Sequence, residues 1–199
     1  MRRIVAAGVA ATLTLGASGV GPASALPGVG TAKNSKVRVV TDRAGDASSW
    51  LDIRRVRLSA HPRMVRVAVK LSEVVPVGSE RQTEVGVHFD TKGDKKPEHL
   101  MSIRGFHYMN GSTTTWNKLR PNGVDPYGDW VDCWPQGWTY DQTISLKPKK
   151  GLVIFRAPRS CLGDPKRVRV SVQTYSGYNI GKGDWAVKKR FYTKRVRLR

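Results

Sequence analysis

Two groups of carboxylates in this chain are spaced closely enough to share a ligand. Asp42, Asp46 and Asp52 bracket one turn-rich stretch, and Asp90, Asp94 and Glu98 bracket a second. A hard cation such as Ca2+ takes about six to eight oxygen ligands from carboxylates, carbonyls and water, and loops at the end of a β-sandwich can supply them. Asp42, Asp46, Asp52 and Asp90 are therefore the candidate Ca2+ ligands, although neither stretch follows the EF-hand pattern. The same residues have a purely structural use, because Asp accepts hydrogen bonds from the amides of its own turn or pairs with Arg.

A second chemistry is offered by residues 127–140, where Tyr127, Trp130, Trp134, Trp138 and Tyr140 are interleaved with Gly and Pro. Flat rings with polar neighbours stack on the C–H faces of sugars, so Trp130 and Trp138 are candidate glycan contacts. Trp134 adjoins Cys133 and is expected in the core, as tryptophan beside a disulfide commonly is. Asp125, Asp129, Asp132 and Asp141 fall in or beside this segment. A glycosidase needs two suitably separated carboxylates, so an envelope-glycan hydrolase stands as an alternative reading. Other catalysis finds no support: there is no H-E-x-x-H, G-x-S-x-G, Walker A or G-x-G-x-x-G, and His61, His88, His99 and His107 are scattered.

The strongest bias is charge. Thirty-five Lys and Arg face 15 Asp and Glu, a net charge of +20. Such an excess favours anionic partners: acidic polysaccharide, cell-wall polymer or, by nonspecific charge, extracellular DNA. The cations are also patterned. Lys166-Arg167-Val168-Arg169-Val170-Ser171-Val172 alternates with period two, which makes a strand with one apolar and one charged side. The pattern recurs at residues 36–39, 55–58, 65–70 and 195–199. Arg55, Arg57, Arg66, Lys70, Arg167, Arg169, Arg195 and Arg197 are accordingly the candidate polyanion contacts, carried on outer sheet faces.

These residues must be positioned by strands, because no long amphipathic helical pattern occurs. Strands are expected over 36–41, 51–60, 63–71, 84–89, 100–108, 139–146, 151–157, 167–175 and 188–199. Residues 110–138 read mostly as irregular segments and short strands, and 177–183 as a loop. This is an all-β, antiparallel two-sheet β-sandwich, jelly-roll-like, with little helix.

Residues 1–25 read as a signal peptide: Arg2 and Arg3, a short apolar run, then Ala23-Ser24-Ala25. Residues 26–35 form a flexible lead-in and 36–199 a single domain. No stretch reaches the roughly 20 apolar residues of a spanning helix. Export, with possible wall association left to the charge, makes the two cysteines, Cys133 and Cys161, one expected disulfide. Its effect on the unfolded chain would be roughly 3.5 kcal/mol.

The arrangement Asp42-x-x-Gly45-Asp46-Ala47, then Leu51-Asp52-Ile53, then Val87-x-Phe89-Asp90-Thr91 with Pro97-Glu98, resembles secreted actinobacterial β-sandwich proteins of the carbohydrate-binding-module-like type. Pro158-Arg159-Ser160-Cys161-Leu162-Gly163 before a Val-rich strand is similar to the same group. The resemblance implies a jelly-roll-like sandwich, with Asp42, Asp46, Asp52 and Asp90 matching its acidic pattern; this chain departs from it in its basicity. The resulting expectation is a secreted, non-catalytic protein that binds an anionic envelope or extracellular polysaccharide. The alternatives are the hydrolase and a structural or protein-interaction sandwich.

Overall fold

Alternating Val and charged residues do form strands in a computed structural model of the 199-residue chain, which describes residues 37–74, 83–104, 113–119, 129–130, 133, 143–176, 179–187 and 192–198. The strands are β1 (Val37–Thr41), β2 (Ile53–Ala60), β3 (Met64–Leu71), β4 (Thr83–Asp90), β5 (His99–Arg104) and β6 (Thr113–Lys118). They continue as β7 (Asp129–Trp130), β8 (Ile144–Lys147), β9 (Leu152–Pro158), β10 (Arg167–Ser176), β11 (Asn179–Trp185) and β12 (Val196–Arg197). All pairings are antiparallel. One sheet has the order β1-β2-β3-β9-β8, here sheet A; the other, sheet B, runs β11-β10-β4-β5-β6-β7, with β12 on β10. Ala186 and Thr193 donate their amides to Val172 and Val170, so β12 continues the edge that β11 begins. Among the described residues no helix is long and apolar enough to cross a membrane.

Period two decides what each sheet buries. In β3, Val65, Val67, Val69 and Leu71 are wholly buried while Arg66 and Lys70 point the other way. In β10, Val168, Val170 and Val172 do the same opposite Val85, Val87 and Phe89 of β4. One apolar core collects these rows together with Phe155, Ile103 and Trp116. Phe89 and Trp116 stack with ring centroids 6.4 Å apart and planes 1° from parallel.

Strict alternation would fail in β2, where Ile53 and Arg55 are two residues apart and would share a face. A register shift between Ile53 and Arg55 makes Arg54 the extra residue of a bulge. Ile53 therefore stays in the core, and Arg55 moves to the outside.

Two expectations change. Residues 179–185, within and beyond the segment read as a loop, form β11. Gly181 and Gly183 lower its intrinsic strand tendency, yet Gly183 packs its Cα against the Thr174 carbonyl where no Cβ would fit. Among the described residues of the expected 188–199 strand, only Val196–Arg197 are in strand. Within the segment read as irregular pieces and short strands, β6 is one such strand, and its Trp116 fills the core.

Cys133 and Cys161 are bonded, with Cα atoms 5.5 Å apart. Replacing Trp116 by Ala should cost about 3–5 kcal/mol in urea denaturation, whereas Val39→Ser, at a 53% exposed site, should change stability by less than about 0.5 kcal/mol.

Candidate functional site

Pairing registers put the cations of sheet A into ranks. Across β1, β2, β3, β9 and β8 the outer face reads Thr41, Arg55, Lys70, Leu152 and Lys147 in one row. Val39, Arg57, Ala68, Ile154 and Ser145 form the next row, and Val37, Ser59, Arg66 and Arg156 the third. Six cations and no carboxylate occupy these rows. With strands ~4.8 Å apart and alternate residues ~6.8 Å apart, the face measures roughly 19 by 14 Å. Ile154 is only 2% exposed although it lies on this outer side, between Ala68 and Ser145 in its row and two residues from Arg156 along β9.

The guanidinium groups are crowded. Burial, then Arg156 and Arg57, holds Arg66 below the usual arginine range, and burial alone does so for Arg156. Arg156 donates Nη1 to Ser145 Oγ at 3.0 Å, and Lys70 Nζ donates to the Lys150 carbonyl. Sequence alternation found Arg55, Arg57, Arg66 and Lys70. It missed Arg156 and Lys147, because the apolar run Leu152-Val153-Ile154-Phe155 conceals the phase of β9.

The remaining cations lie elsewhere. Arg167 and Arg197 are register partners on the outer face of sheet B, and Arg195 donates to the Gly93 carbonyl. Arg169 is an internal residue. Its Nε and Nη2 both lie 2.6 Å from Asp90 Oδ2, its guanidinium is 5.1 Å from the Tyr192 ring centroid, and its side chain is only 12% exposed.

The four candidate Ca2+ ligands do not come together. The 42–52 loop lies at the Thr83 end of β4, where Thr83 Oγ1 donates to Trp50 O, and Asp90 closes the other end. Seven residue steps of strand, ~24 Å, separate those ends. Asp90 organises its own turn, accepting from the Gly93 amide and from Lys95 N at 2.9 Å. Glu98 accepts from Thr91 N and Oγ1, while Asp90, Asp94 and Glu98 bring one oxygen each within 4.8 Å. Asp52 Oδ2 accepts from Gly45 N, Ser72 Oγ and Arg54 Nη1, so Asp52 also builds its loop.

Asp42 and Asp46 do converge, but on Asp184 of β11 rather than on Asp52. One carboxylate oxygen from each lies within 4.8 Å of the others. Asp42 Oδ2 is buried without a hydrogen-bond partner. Asp184 Oδ2 accepts the Ile53 amide at 2.8 Å, linking sheet B to sheet A. Burial pushes the Asp184 carboxyl up to about 6, with Asp46 and Asp42 adding to the effect. No local signal in the sequence marks Asp184; only the pairing of β11 to β10 delivers it.

Of the aromatic candidates, Trp130 lies in β7 opposite Asn117. Trp138 lies outside the described residues, as do Trp134, Asp125, Asp132 and Asp141. Asp129 opens β7. No protein-family model, curated protein or solved structure matches this chain significantly.

Two buried groups should oppose each other in acid. Desolvation, with Lys118 and Lys92, pulls His99 down from 6.5 to about 4, so the unfolded chain binds the extra proton and acidification from pH 6.5 to 4 destabilises. Asp184 is raised from 3.8 to about 6, so the folded chain binds the extra proton and the same acidification stabilises. Solvent screening at these incompletely buried groups keeps each contribution to about 1–2 kcal/mol. Asp184→Asn keeps a carbonyl acceptor for Ile53, and should melt higher than the parent at pH 7 but lose stability more steeply toward pH 4. His99→Gln should gain stability over that range; parallel pH profiles for all three proteins would refute both assignments.

Proposed function

We propose that this protein is a secreted, non-catalytic binder of an anionic extracellular polysaccharide or cell-wall polymer, engaged by the outer face of sheet A. The observation that carries this reading is the set of six cations, Arg55, Arg57, Arg66, Lys70, Lys147 and Arg156, ranked across four strands with no acid among them. Burial, and after it Arg156 and Arg57, already depresses the proton affinity of Arg66. An extended polyanion would relieve that repulsion, and a flat sheet face suits a linear polymer better than a small solute. The Cys133–Cys161 bond supports the export that the leader predicts. Resemblance to carbohydrate-binding-module-like sandwiches favours a glycan over DNA, which the charge alone would also attract.

The test uses Arg55, Arg57, Lys70 and Lys147, which can be reversed to Glu without opening the core. The quadruple variant should bind a uronate-rich or sulfated polysaccharide at least about tenfold more weakly than the parent at 0.15 M salt, with a shallower salt dependence. Unchanged retention would overturn the reading. Equal, steeply salt-dependent binding to every polyanion, DNA included, would reduce it to nonspecific charge.

A second reading is favoured by the Asp42, Asp46 and Asp184 cluster, three carboxylates of a strongly basic chain with no described cation paired to them. We propose Ca2+ as their counterion, since a hard divalent cation accepts carboxylate oxygens and would offset their repulsion. Excess Ca2+ at pH 7 should raise the melting temperature relative to EDTA, and Asp184→Asn should abolish the rise. Superimposable melts of the parent protein would exclude the site.

A further inference from the structure

At the Asp90 end of the sandwich the second group of cations encloses a space of its own. A cavity of about 160 Å3 opens between the loop after β4, the start of β10 and the segment before β12. Lys92, Lys166, Arg167 and Arg195 line it, around Thr91 and Gly93, with Asp90 beneath. The one acid present is already compensated. Asp90 Oδ2 lies 2.6 Å from Arg169 and takes the Lys95 amide, and Oδ1 takes the Gly93 amide. Its side chain is fully buried. Four cations therefore line one space, and the other two carboxylates of this loop, Asp94 and Glu98, stand beside Asp90 but do not line it; Glu98 takes the Thr91 amide and hydroxyl and Asp94 the Lys96 amide.

Placement of those cations is built rather than incidental. Gly93 has φ +87°, and a Cβ there would occupy the position of the Arg195 guanidinium. That guanidinium lies flat against Gly93 and donates one N–H to the Gly93 carbonyl. Other N–H donors of its planar fork are left for a ligand. Arg167 sits on the rigid ladder of β10, opposite Arg197 of β12.

We infer that this cavity binds a tetrahedral oxyanion, a phosphate or sulfate ester group, independently of the sheet A face. Four lining cations outnumber the carboxylates of this loop, of which Asp90 is already held by Arg169, whereas a phosphoryl or sulfuryl group offers three acceptor oxygens to arginine and lysine. The volume admits several waters, and hence a five-atom oxyanion, while the open side leaves room for the chain to which the ester is attached. Such a site selects for substituent type on a polymer, a task that a flat cationic face does poorly.

The experiment titrates the full-length protein with inorganic phosphate, sulfate and acetate at matched ionic strength, following heat and chemical shifts. Phosphate or sulfate should bind saturably at one site, acetate at least about tenfold more weakly, and the stronger of the two oxyanions would identify the ester. Arg167→Gln with Arg195→Gln, both exposed positions, should weaken that binding by about tenfold or more while leaving the melting temperature unchanged. Gly93→Ala, which displaces Arg195, should also weaken it. The sheet A quadruple variant should retain it, so that loss of polymer binding and loss of oxyanion binding are separable. Non-saturable binding, equal binding of acetate, or full binding by the double variant would overturn the inference.

Discussion

A strand that alternates valine with arginine can pair in only one phase. Slipping β3 by one residue would carry Arg66 and Lys70 into the core and put Val65, Val67 and Val69 in water, so its register is fixed by a penalty on every residue. The same condition binds β10 and, after its bulge, β2. Because β2, β3 and β9 are neighbours, satisfying it for each aligns their cations into common rows. Sheet A's charged face is thus a by-product of the packing of its inner face. The core and the surface proposed to bind polyanion are two sides of one constraint.

Acids are placed by a different need. The outer rows of sheet A contain none, and the described acids that take part in contacts stand mostly at strand ends, where turns leave amides without ladder partners. Asp90 and Asp52 are absorbed by that task. Asp184 is absorbed only in part: one oxygen joins the sheets through Ile53, and the carboxylate remains beside Asp42 and Asp46. The loop that holds Asp42 is pinned to sheet B by Thr174 Oγ1 on Leu51 O at 2.6 Å and by Thr83 on Trp50 O. Carboxylates from distant parts of the chain are thereby held together, with Asp184 buried, Asp42 half-buried and Asp46 exposed.

Legibility in the sequence followed the range of the interaction. The hairpin of β2 and β3, and the four of sheet A's six outer-face cations that it carries, were readable because side-chain alternation is a local property. Arg156 was not, since its face is set by pairing with Arg66 rather than by its own apolar neighbours. Arg167 and Arg169 are indistinguishable in sequence, yet one lines an open cavity and the other is buried on Asp90, a residue 79 positions away. Likewise β11 is glycine-bearing and unremarkable until β10 offers it an edge.

By itself, then, the sequence determined an all-β sandwich, the side of each regular strand that faces the core, and the sign of the surface. These follow from period-two patterning and composition, which need no knowledge of partners. Tertiary structure decided which charges meet. It placed the two acidic loops at opposite ends of β4, exchanged Asp52 for Asp184 beside Asp42, neutralised Arg169, and gathered Lys92, Lys166, Arg167 and Arg195 around one cavity. Those outcomes depend on strand order and register, through which residues far apart in the chain become neighbours at distances where Coulombic and hydrogen-bonding energies matter.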